Sequence, residues 1–317
     1  MNNDLTIIIP DYKSPFLKVI IEAALLLKPH KMVVSNYKTP LTEKIQKEII
    51  SETNIVFLNF DERKNPGDFR NEGVKSAYTK NLLFLDSDVR ININTIEYIN
   101  SKLDSGLEEN IIYWGLYSEY GKSIFSKIQN KILRYRFSKK FFDRCLNKGK
   151  PYCGQSSHFL ITKNTFNKAG GFNPYLKIRE DNDFIVRSTE MGIKQSLDEK
   201  FEADHLKVYT LYSEYFQKPF HASKVKIEEP KIFNRPNAQI GLGLCLSWVL
   251  FPLFFVLSSI LFFLSLISID IYFFINVLSL ITSFILLPKK ISDNLNLKEK
   301  IYIFLLSPLI GFNFLLG

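Results

Sequence analysis

Residues 82–88 read Leu-Leu-Phe-Leu-Asp-Ser-Asp, and this segment is the most informative part of the sequence. Four consecutive apolar residues predict a strand buried on both faces, as in a parallel sheet covered by helices. Two carboxylates, Asp86 and Asp88, follow at once, with only Ser87 between them. Ligands of such sheets bind at the carboxyl ends of the strands, and oxygen ligands of this kind suit Mg²⁺ or Mn²⁺. The pair is therefore the first candidate site.

Strand-like and helix-like segments alternate on both sides of this segment. Short apolar runs predict strands, and apolar residues spaced three or four apart predict helices. Their alternation predicts a parallel sheet wrapped by helices, and so an α/β fold. The predicted strands are 5–9, 32–34, 55–58, 82–85 and 158–162, and the predicted helices are 16–27, 41–50, 69–78 and 184–191.

Two further segments carry charged residues that suit chemistry. Asp181-Asn182-Asp183 is a second pair of spaced carboxylates, but it opens a predicted helix, where Asp183 alone would stabilise the helix N-terminus. Arg70 lies near the start of the helix after Pro66-Gly67, where a guanidinium suits a base or a phosphate. The alternative for Arg70 is an exposed ion pair.

The composition of the chain limits the classes of function that it can have. The chain has 317 residues, enough for one large domain or two ordinary ones, and 46% of them are hydrophobic, which excludes a disordered chain. Lys and Arg number 41 against 32 Asp and Glu, so the net charge of +9 suits an anionic partner: a phosphorylated small molecule, a nucleic acid or a lipid headgroup. The three cysteines have no C-x-x-C spacing, which argues against a disulfide framework or a zinc ribbon.

The C-terminal part differs sharply from the rest. Between residues 240 and 287 the only Asp, Glu, Lys, Arg or His is Asp270, whereas a membrane-spanning helix needs about 20 apolar residues. Two spans joined by a turn near 268–270 are expected, and the alternative is a pair of buried core helices. The predicted organisation is a water-soluble N-terminal domain over 1–222, a basic linker over 223–239, and spans over 240–267, 271–288 and 301–317, the last of which crosses the bilayer or lies only partly within it.

Basic residues predict the orientation in the membrane. Lysines and an arginine precede the first span, four lysines separate the second from the third, and the turn near Asp270 has none. Because basic loops stay on the cytoplasmic side, the N-terminal domain is expected at the cytoplasmic face of an inner or plasma membrane. No signal peptide is visible in residues 1–10.

Five ordered motifs carry a resemblance that covers roughly residues 5–205. The sequence resembles the inverting family-2 glycosyltransferases of the GT-A fold, which implies a Rossmann-like nucleotide-diphospho-sugar transferase domain. The motifs are I-I-I-P at 7–10, F-R-N-E-G-V-K-S-A at 69–77, L-F-L-D-S-D at 83–88, G-G-F-N at 170–173 and R-E-D-N-D-F-I-V-R at 179–187.

The resemblance also implies roles for residues at matching positions. Asp88 is expected to hold a divalent metal that bridges the nucleotide diphosphate, with His205 near it, and Asp181 is expected to be the general base. Such a reaction needs a base within reach of the acceptor hydroxyl and a cation beside the departing diphosphate. The expected nucleotide-sugar contacts are Pro10, Asp11, Tyr12, Arg70, Asp86 and Ser87, and the expected acceptor-side residues are Gly154, Ser157 and Glu180.

The sequence departs from the family pattern in two places. The second strand usually ends in an Asp that reads the base, and here it ends in Ser35-Asn36. Processive synthases carry Q-x-x-R-W after the base, whereas Gln217 is followed by Lys-Pro-Phe-His, which favours a single transfer.

Residues 122–150 are unusually basic. They contain ten Lys or Arg and one acid, with apolar residues at near-helical spacing. A basic amphipathic helix suits an anionic membrane surface, and because apolar runs follow, lipid contact is favoured over nucleic acid. The alternative is a solvated charged helix.

Three functions follow from these observations. The leading one is a membrane-anchored inverting glycosyltransferase that moves one sugar from a nucleotide-sugar donor to a lipid-linked or glycan acceptor. A nucleotidyltransferase is the second, but it needs a glycine-rich loop after the first strand, and residues 10–14 contain no glycine. A non-catalytic membrane scaffold on a degenerate transferase domain is the third, supported only by Ser35-Asn36.

Overall fold

The computed structural model describes residues 3–49, 54–62, 64–117, 138–147, 156–176, 180–206, 257–264 and 266–285. The chain divides into two compact units, one formed by 1–121 with 136–208 and one by 122–135 with 209–317. The predicted linker 223–239, the predicted span 301–317 and most of the basic segment 122–150 lie outside the described residues.

The first unit is an α/β domain built around one mixed sheet. Its strands and helices alternate along the first hundred residues, as the apolar periodicity predicts. The strands are β1 (Asn3–Asp11), β2 (Pro29–Tyr37), β3 (Ile55–Phe60), β4 (Asn81–Leu85), β5 (Val89–Ile91), β6 (Ile111–Tyr117), β7 (His158–Thr162) and β8 (Lys194–His205), and the helices are α1 (Leu17–Leu25), α2 (Pro40–Ile49), α3 (Pro66–Lys75), α4 (Ile93–Ser105), α5 (Lys139–Leu146), α6 (Lys163–Lys168) and α7 (Glu180–Glu190).

The strand order explains where a ligand can bind. The sheet runs β3-β2-β1-β4-β7-β6-β8-β5, and its first four strands are parallel, which confirms the prediction for them. Beyond β4 the prediction of a parallel sheet was wrong for three pairings, because β7 pairs antiparallel with β4 and β6, and β5 pairs antiparallel with β8, whereas β6 and β8 are parallel. The order reverses between β1 and β4, so the carboxyl ends of these two strands flank the crevice where such sheets bind ligands.

Apolar side chains cover both faces of the central strands. Leu5, Ile7 and Ile9 are fully buried on the face that α1 covers. Gly73 of α3 lies against Ile8 on the opposite face, where a Cβ atom at position 73 would come within 2.5 Å of Ile8 Cγ2. Glycine therefore lets α3 approach the sheet closely and brings its N-terminal end to the crevice.

Two helices begin earlier than the sequence predicts. α3 begins at Pro66, because proline suits the first helical position, which donates no backbone hydrogen bond. α7 begins at Glu180, with three carboxylates in its first turn, where the helix dipole stabilises negative charge. As a consequence, Asp181 lies inside the helix and not in the loop before it.

The described part of the second unit contains α8 (Ile269–Ile285), a helix of 17 residues. Asn276 of this helix donates a hydrogen bond from Nδ2 to Ser258 Oγ over 3.1 Å. Many of the apolar side chains are exposed, including Phe263 and Phe274. Within the ranges that the structure describes, no helix combines the length and the apolar character needed to cross a membrane.

Candidate active site

A cavity of about 480 Å³ opens at the carboxyl ends of β1 and β4 and beside the start of α3. The strand order predicts a ligand site in this place. Asp181 is not among the described residues that line it. The lining residues are Pro10, Asp11, Tyr12, Lys13, Ser14, Pro15, Phe16, Lys64, Pro66, Phe69, Arg70, Asp86, Ser87 and Asp88.

The Asp86-Ser87-Asp88 loop is held by its backbone from three sides. The amide of Asp86 donates to the carbonyl of Ser157 over 2.7 Å, and the amide of Leu206 donates to the carbonyl of Asp88 over 2.7 Å. The hydroxyl of Ser14 donates to the carbonyl of Ser87 over 2.7 Å. The two carboxylates are therefore presented by a fixed backbone.

Asp88 and His205 form the candidate metal pair. β5 and β8 pair Val89 with His205, which places His205 Nε2 3.8 Å from Asp88 Oδ2. Among the described residues, no group of three or more His, Cys, Asp or Glu is arranged to hold a metal ion. A hard cation bound by one or two protein ligands and by substrate phosphates needs no such group. The donor set therefore fits Mg²⁺ or Mn²⁺ in a site that a diphosphate would complete.

Arg70 joins the two acidic motifs. Its Nη2 lies 2.6 Å from Asp86 Oδ1 and its Nη1 lies 2.9 Å from Glu180 Oε1, while its side chain is 3% exposed. Although burial acts to lower it, the pKa of Arg70 is raised by the charges of Asp86 and Glu180. The prediction placed Arg70 against the nucleotide or in an exposed ion pair. It lines the cavity, but its charge is already matched by two carboxylates.

Glu180 and Asp181 have different surroundings although they are neighbours. Glu180 is 8% exposed and contacts Arg70, whereas Asp181 is half-buried. Burial and the adjacent charge of Asp181 raise the pKa of Glu180 to about 7, against the opposing effect of Arg70. Glu180 was expected on the acceptor side, and its contact with Arg70 instead directs it inward. Because Asp86 and Glu180 share one guanidinium, the two acidic motifs lie at one site.

The pKa of Asp86, the first carboxylate of the loop, is also shifted from its ordinary value. Burial raises the pKa of Asp86, the guanidinium of Arg70 acts to lower it, and the charge of Asp88 acts to raise it.

Farther along α7, Arg187 contacts Asp183 over 2.7 Å and donates to the carbonyl of Gly171 over 2.7 Å. This pair braces the backbone that precedes the helix.

The side of the cavity with the predicted nucleotide contacts, called the nucleotide side below, is aromatic. The rings of Tyr12 and Tyr37 lie 5.6 Å apart, and Lys13 Nζ lies 5.4 Å and 5.6 Å from their centroids. Asp11 is buried beside them, and burial raises its pKa. The sequence prediction did not include Lys13 or Tyr37. Tyr37 follows the second strand, so the rule that ligands meet strand ends could have found it, whereas the left-handed backbone of Lys13, with φ 61°, leaves no signal in the sequence.

Asn36 stands where the family usually has a carboxylate. It pairs in register with Asp11 and donates from Nδ2 to Asn59 Oδ1 over 2.9 Å. Asn59 in turn donates to Gln46 Oε1 over 3.2 Å. In the described part of the chain, the buried Oδ1 of Asn36 has no hydrogen-bond partner. The position is neutral and connected to α2.

Two of the three predicted acceptor-side residues, Ser157 and Glu180, are described by the structure. Ser157 is buried and holds the Asp86 amide through its carbonyl, so its described role is to support the loop. Gly154 lies outside the described residues.

Comparison with known proteins places this geometry in a family. The profile described as glycosyltransferase like family 2 matches residues 18–201. No curated protein sequence matches the chain. Among solved structures, the mannosyltransferase PcManGT from Pyrobaculum calidifontis, determined in complex with GDP-Man and Mn²⁺, matches with a TM-score of 0.58 and 10% identity, over 98% of this chain and 86% of that chain. At that identity the likeness shows the fold, a GT-A-like α/β fold.

Proposed function

Because the chain belongs to glycosyltransferase-like family 2, we propose that it moves a single sugar from a nucleotide-sugar donor to an acceptor hydroxyl, with inversion at the anomeric carbon. One observation carries this proposal. Asp86 of the Asp-x-Asp loop and Glu180, the neighbour of Asp181, share the guanidinium of Arg70. This shared guanidinium supports the proposal that the donor and the proton-accepting carboxylate meet at one site.

The donor would occupy the cavity at the ends of β1 and β4. Tyr12 and Tyr37 offer ring faces to a base, and Asp86 offers a carboxylate oxygen to a ribose hydroxyl. The solved mannosyltransferase holds GDP-Man, which supports a nucleotide sugar as the class of donor. The nucleotidyltransferase alternative lacks support, since the loop after β1 has no glycine to cradle a triphosphate.

The chemistry assigned to the chain's own residues is a proton transfer coupled to displacement. Asp181 accepts the proton of the acceptor hydroxyl, whose oxygen forms a bond to the anomeric carbon. The bond from that carbon to the diphosphate oxygen breaks, and its electron pair leaves with the diphosphate. Attack from the opposite face inverts the configuration. When bound by Asp88 and His205, Mg²⁺ or Mn²⁺ would supply neutralising charge for the diphosphate.

We also propose that the acceptor is lipid-linked or a glycan at the cytoplasmic face of the membrane. The apolar run over 240–287 and the basic residues that flank it support this. The exposed apolar side chains around α8 agree with lipid contact. Expression of the full chain and fractionation tests the proposal: carbonate should leave the protein in the membrane pellet and detergent should release it, whereas release by carbonate would contradict anchoring.

The experiment for the transfer itself is Asp181→Asn, assayed with Mn²⁺, a panel of nucleotide sugars and a membrane lipid extract. We expect transfer to fall by about 10²- to 10⁴-fold, the usual contribution of a general base. Mn²⁺-dependent binding of GDP or UDP should stay unchanged. Glu199→Gln, an exposed carboxylate of β8, is the matched control.

Two outcomes would overturn this assignment. Full turnover by Asp181→Asn would show that another group takes the proton. Binding of GDP or UDP by the wild type with no transfer from any donor would favour the non-catalytic scaffold, for which the neutral Asn36 is the supporting observation.

A further inference from the structure

We propose that Arg70 and Glu180 are positioning residues, which hold the Asp-x-Asp loop and the helix of Asp181 at a fixed spacing through one buried guanidinium. This inference deepens the proposed transferase function and rests on it for the roles of Asp88 and Asp181. The Arg70 bridge denotes Arg70 with its two carboxylate partners, Asp86 and Glu180.

The contacts of Arg70 support a positioning role more strongly than a ligand-binding role. Its two terminal nitrogens each contact a different carboxylate, at 2.6 Å and 2.9 Å, and only 3% of its side chain is exposed. Because the guanidinium is planar and its nitrogens are fixed relative to one another, one contact from each terminal nitrogen sets the spacing of the two carboxylates. The ring of Phe172 lies beneath the guanidinium, with its centroid 5.3 Å from Cζ, so the planar group is also fixed from its face.

The backbone around the Arg70 bridge is tied by the next residue. Asn71 donates from Nδ2 to the carbonyl of Phe172 over 2.7 Å, and its Oδ1 accepts from the amide of Phe172 over 2.9 Å. Arg70 thus contacts the charged side chains while Asn71 contacts the main chain of the segment before α7. The adjacent Arg-Asn pair connects α3 to both acidic motifs.

The approach of α3 to α7 depends on Gly67. A Cβ atom at position 67 would lie 2.9 Å from Phe172 Cβ and 3.2 Å from Glu180 Cγ. Any larger residue would separate the helix from Glu180. The Arg70 bridge therefore requires a glycine one turn before the arginine. A guanidinium that contacted only a nucleotide would not require this glycine.

The spacing matters for catalysis because the two ends of the Arg70 bridge adjoin different reactants. Asp86 lies two residues from the proposed metal ligand Asp88, and Glu180 lies next to the proposed base Asp181. Displacement needs the acceptor oxygen, the anomeric carbon and the diphosphate in one line, and a misplacement of about 1 Å can cost about 10²-fold in rate. Glu180 itself is directed at Arg70 and is not among the described residues that line the cavity.

Hydrogen–deuterium exchange of the full chain tests the Arg70 bridge without requiring any substrate. The readout is the amides of Asp86 and Val89, which donate to Ser157 and Asp86 carbonyls, together with the amides of α7. Arg70→Lys keeps the charge but cannot contact both carboxylates, so exchange should rise about fivefold or more at both ends. Glu180→Gln should raise exchange at Asp86 in the wild-type background and add nothing in the Arg70→Lys background.

Asp183→Asn is the matched control, because Asp183 lies in the same first turn of α7 but contacts Arg187. It should leave exchange at Asp86 and Val89 unchanged. Arg70→Lys still decides the question if Glu180→Gln fails to fold. Exchange that rises at one end only in Arg70→Lys, or an effect of Glu180→Gln confined to α7, would overturn the proposal.

Kinetics separate positioning from simple loss of structure once a donor is known. Glu180→Gln should lower kcat by about tenfold or more with the KM for the donor nearly unchanged, and Glu180→Asp should restore part of it. A wild-type chain that transfers no sugar would defeat the proposed function, and the exchange result would still decide whether the Arg70 bridge exists.

Discussion

The two sides of the cavity are formed by different kinds of residue. On the loop side, Arg70 is 3% exposed and charges are paired in the interior, with the backbone held by three hydrogen bonds. On the nucleotide side, Tyr12 is 42% exposed and Lys13 rests on two rings at the surface. Buried ion pairs give a fixed geometry, whereas exposed rings tolerate change. The loop side is therefore held more rigidly than the nucleotide side.

Removing the buried cation should have the largest effect. In Arg70→Met, the buried Glu180 and the partly exposed Asp86 lose their partner, and breaking a buried ion pair costs about 3–5 kcal/mol of unfolding free energy. Lys13→Met removes a charge from the exposed side and should cost less than about 0.5 kcal/mol. Urea unfolding measures both. Equal losses of unfolding free energy in the two variants would contradict the proposed difference between the two sides.

Acidification should lower the free energy of unfolding through His158, which is the first residue of β7 and lies next to Ser157 on the loop side of the cavity. Burial lowers the pKa of His158 from 6.5 to about 4. Between those values the unfolded chain binds the proton and the folded chain does not, so the stabilising contribution is complete above pH 6.5 and is lost as the pH falls towards 4. The full loss is about 3 kcal/mol at 1.36 kcal/mol per pKa unit.

The measurement is the unfolding free energy at several pH values between 4 and 7, for the wild type and for His158→Phe. The wild type should lose more stability on acidification than the variant, whose other titrating groups are the same. Parallel curves would show that His158 is protonated in the folded protein and would contradict its burial as a neutral ring.

The smallest expected effect lies on the nucleotide side. Tyr12→Leu removes one ring face, and base stacking on an aromatic side chain contributes about 1–3 kcal/mol, so Mn²⁺-dependent binding of GDP or UDP should weaken about tenfold. The unfolding free energy should change little because the ring is exposed. Calorimetric titration measures the binding, and unchanged affinity would place the base elsewhere in the cavity.

The sequence predicts the first half of the fold well and the second half poorly. Strands β1, β2 and β4 carry runs of buried residues, and β3, although only partly buried, begins with four apolar residues, so unbroken apolar runs reveal all four. Only three of the twelve residues of β8 are buried and the strand is rich in charge, and β5 has only three residues, so neither gives a strong signal. The antiparallel strands beyond β4 follow from long-range pairing, which local periodicity does not encode.

The candidate site divides in the same way. The Asp-x-Asp loop and its place at a strand end can be read locally, because Asp86 directly follows four buried residues. The contact of Arg70 with Glu180 joins residues 110 positions apart, and nothing local indicates it. The inward orientation of Glu180 and the half-buried state of Asp181 depend on where α7 begins, and the sequence placed that start four residues too late.

The most direct test of the central claim is a crystal structure of the full chain with MnCl₂ and GDP, using the anomalous signal of manganese. We predict one manganese peak at Asp88 and the diphosphate, with the Asp181 carboxylate facing the same cavity. A peak away from Asp88, or an Asp181 carboxylate separated from the diphosphate by packed side chains, would contradict it.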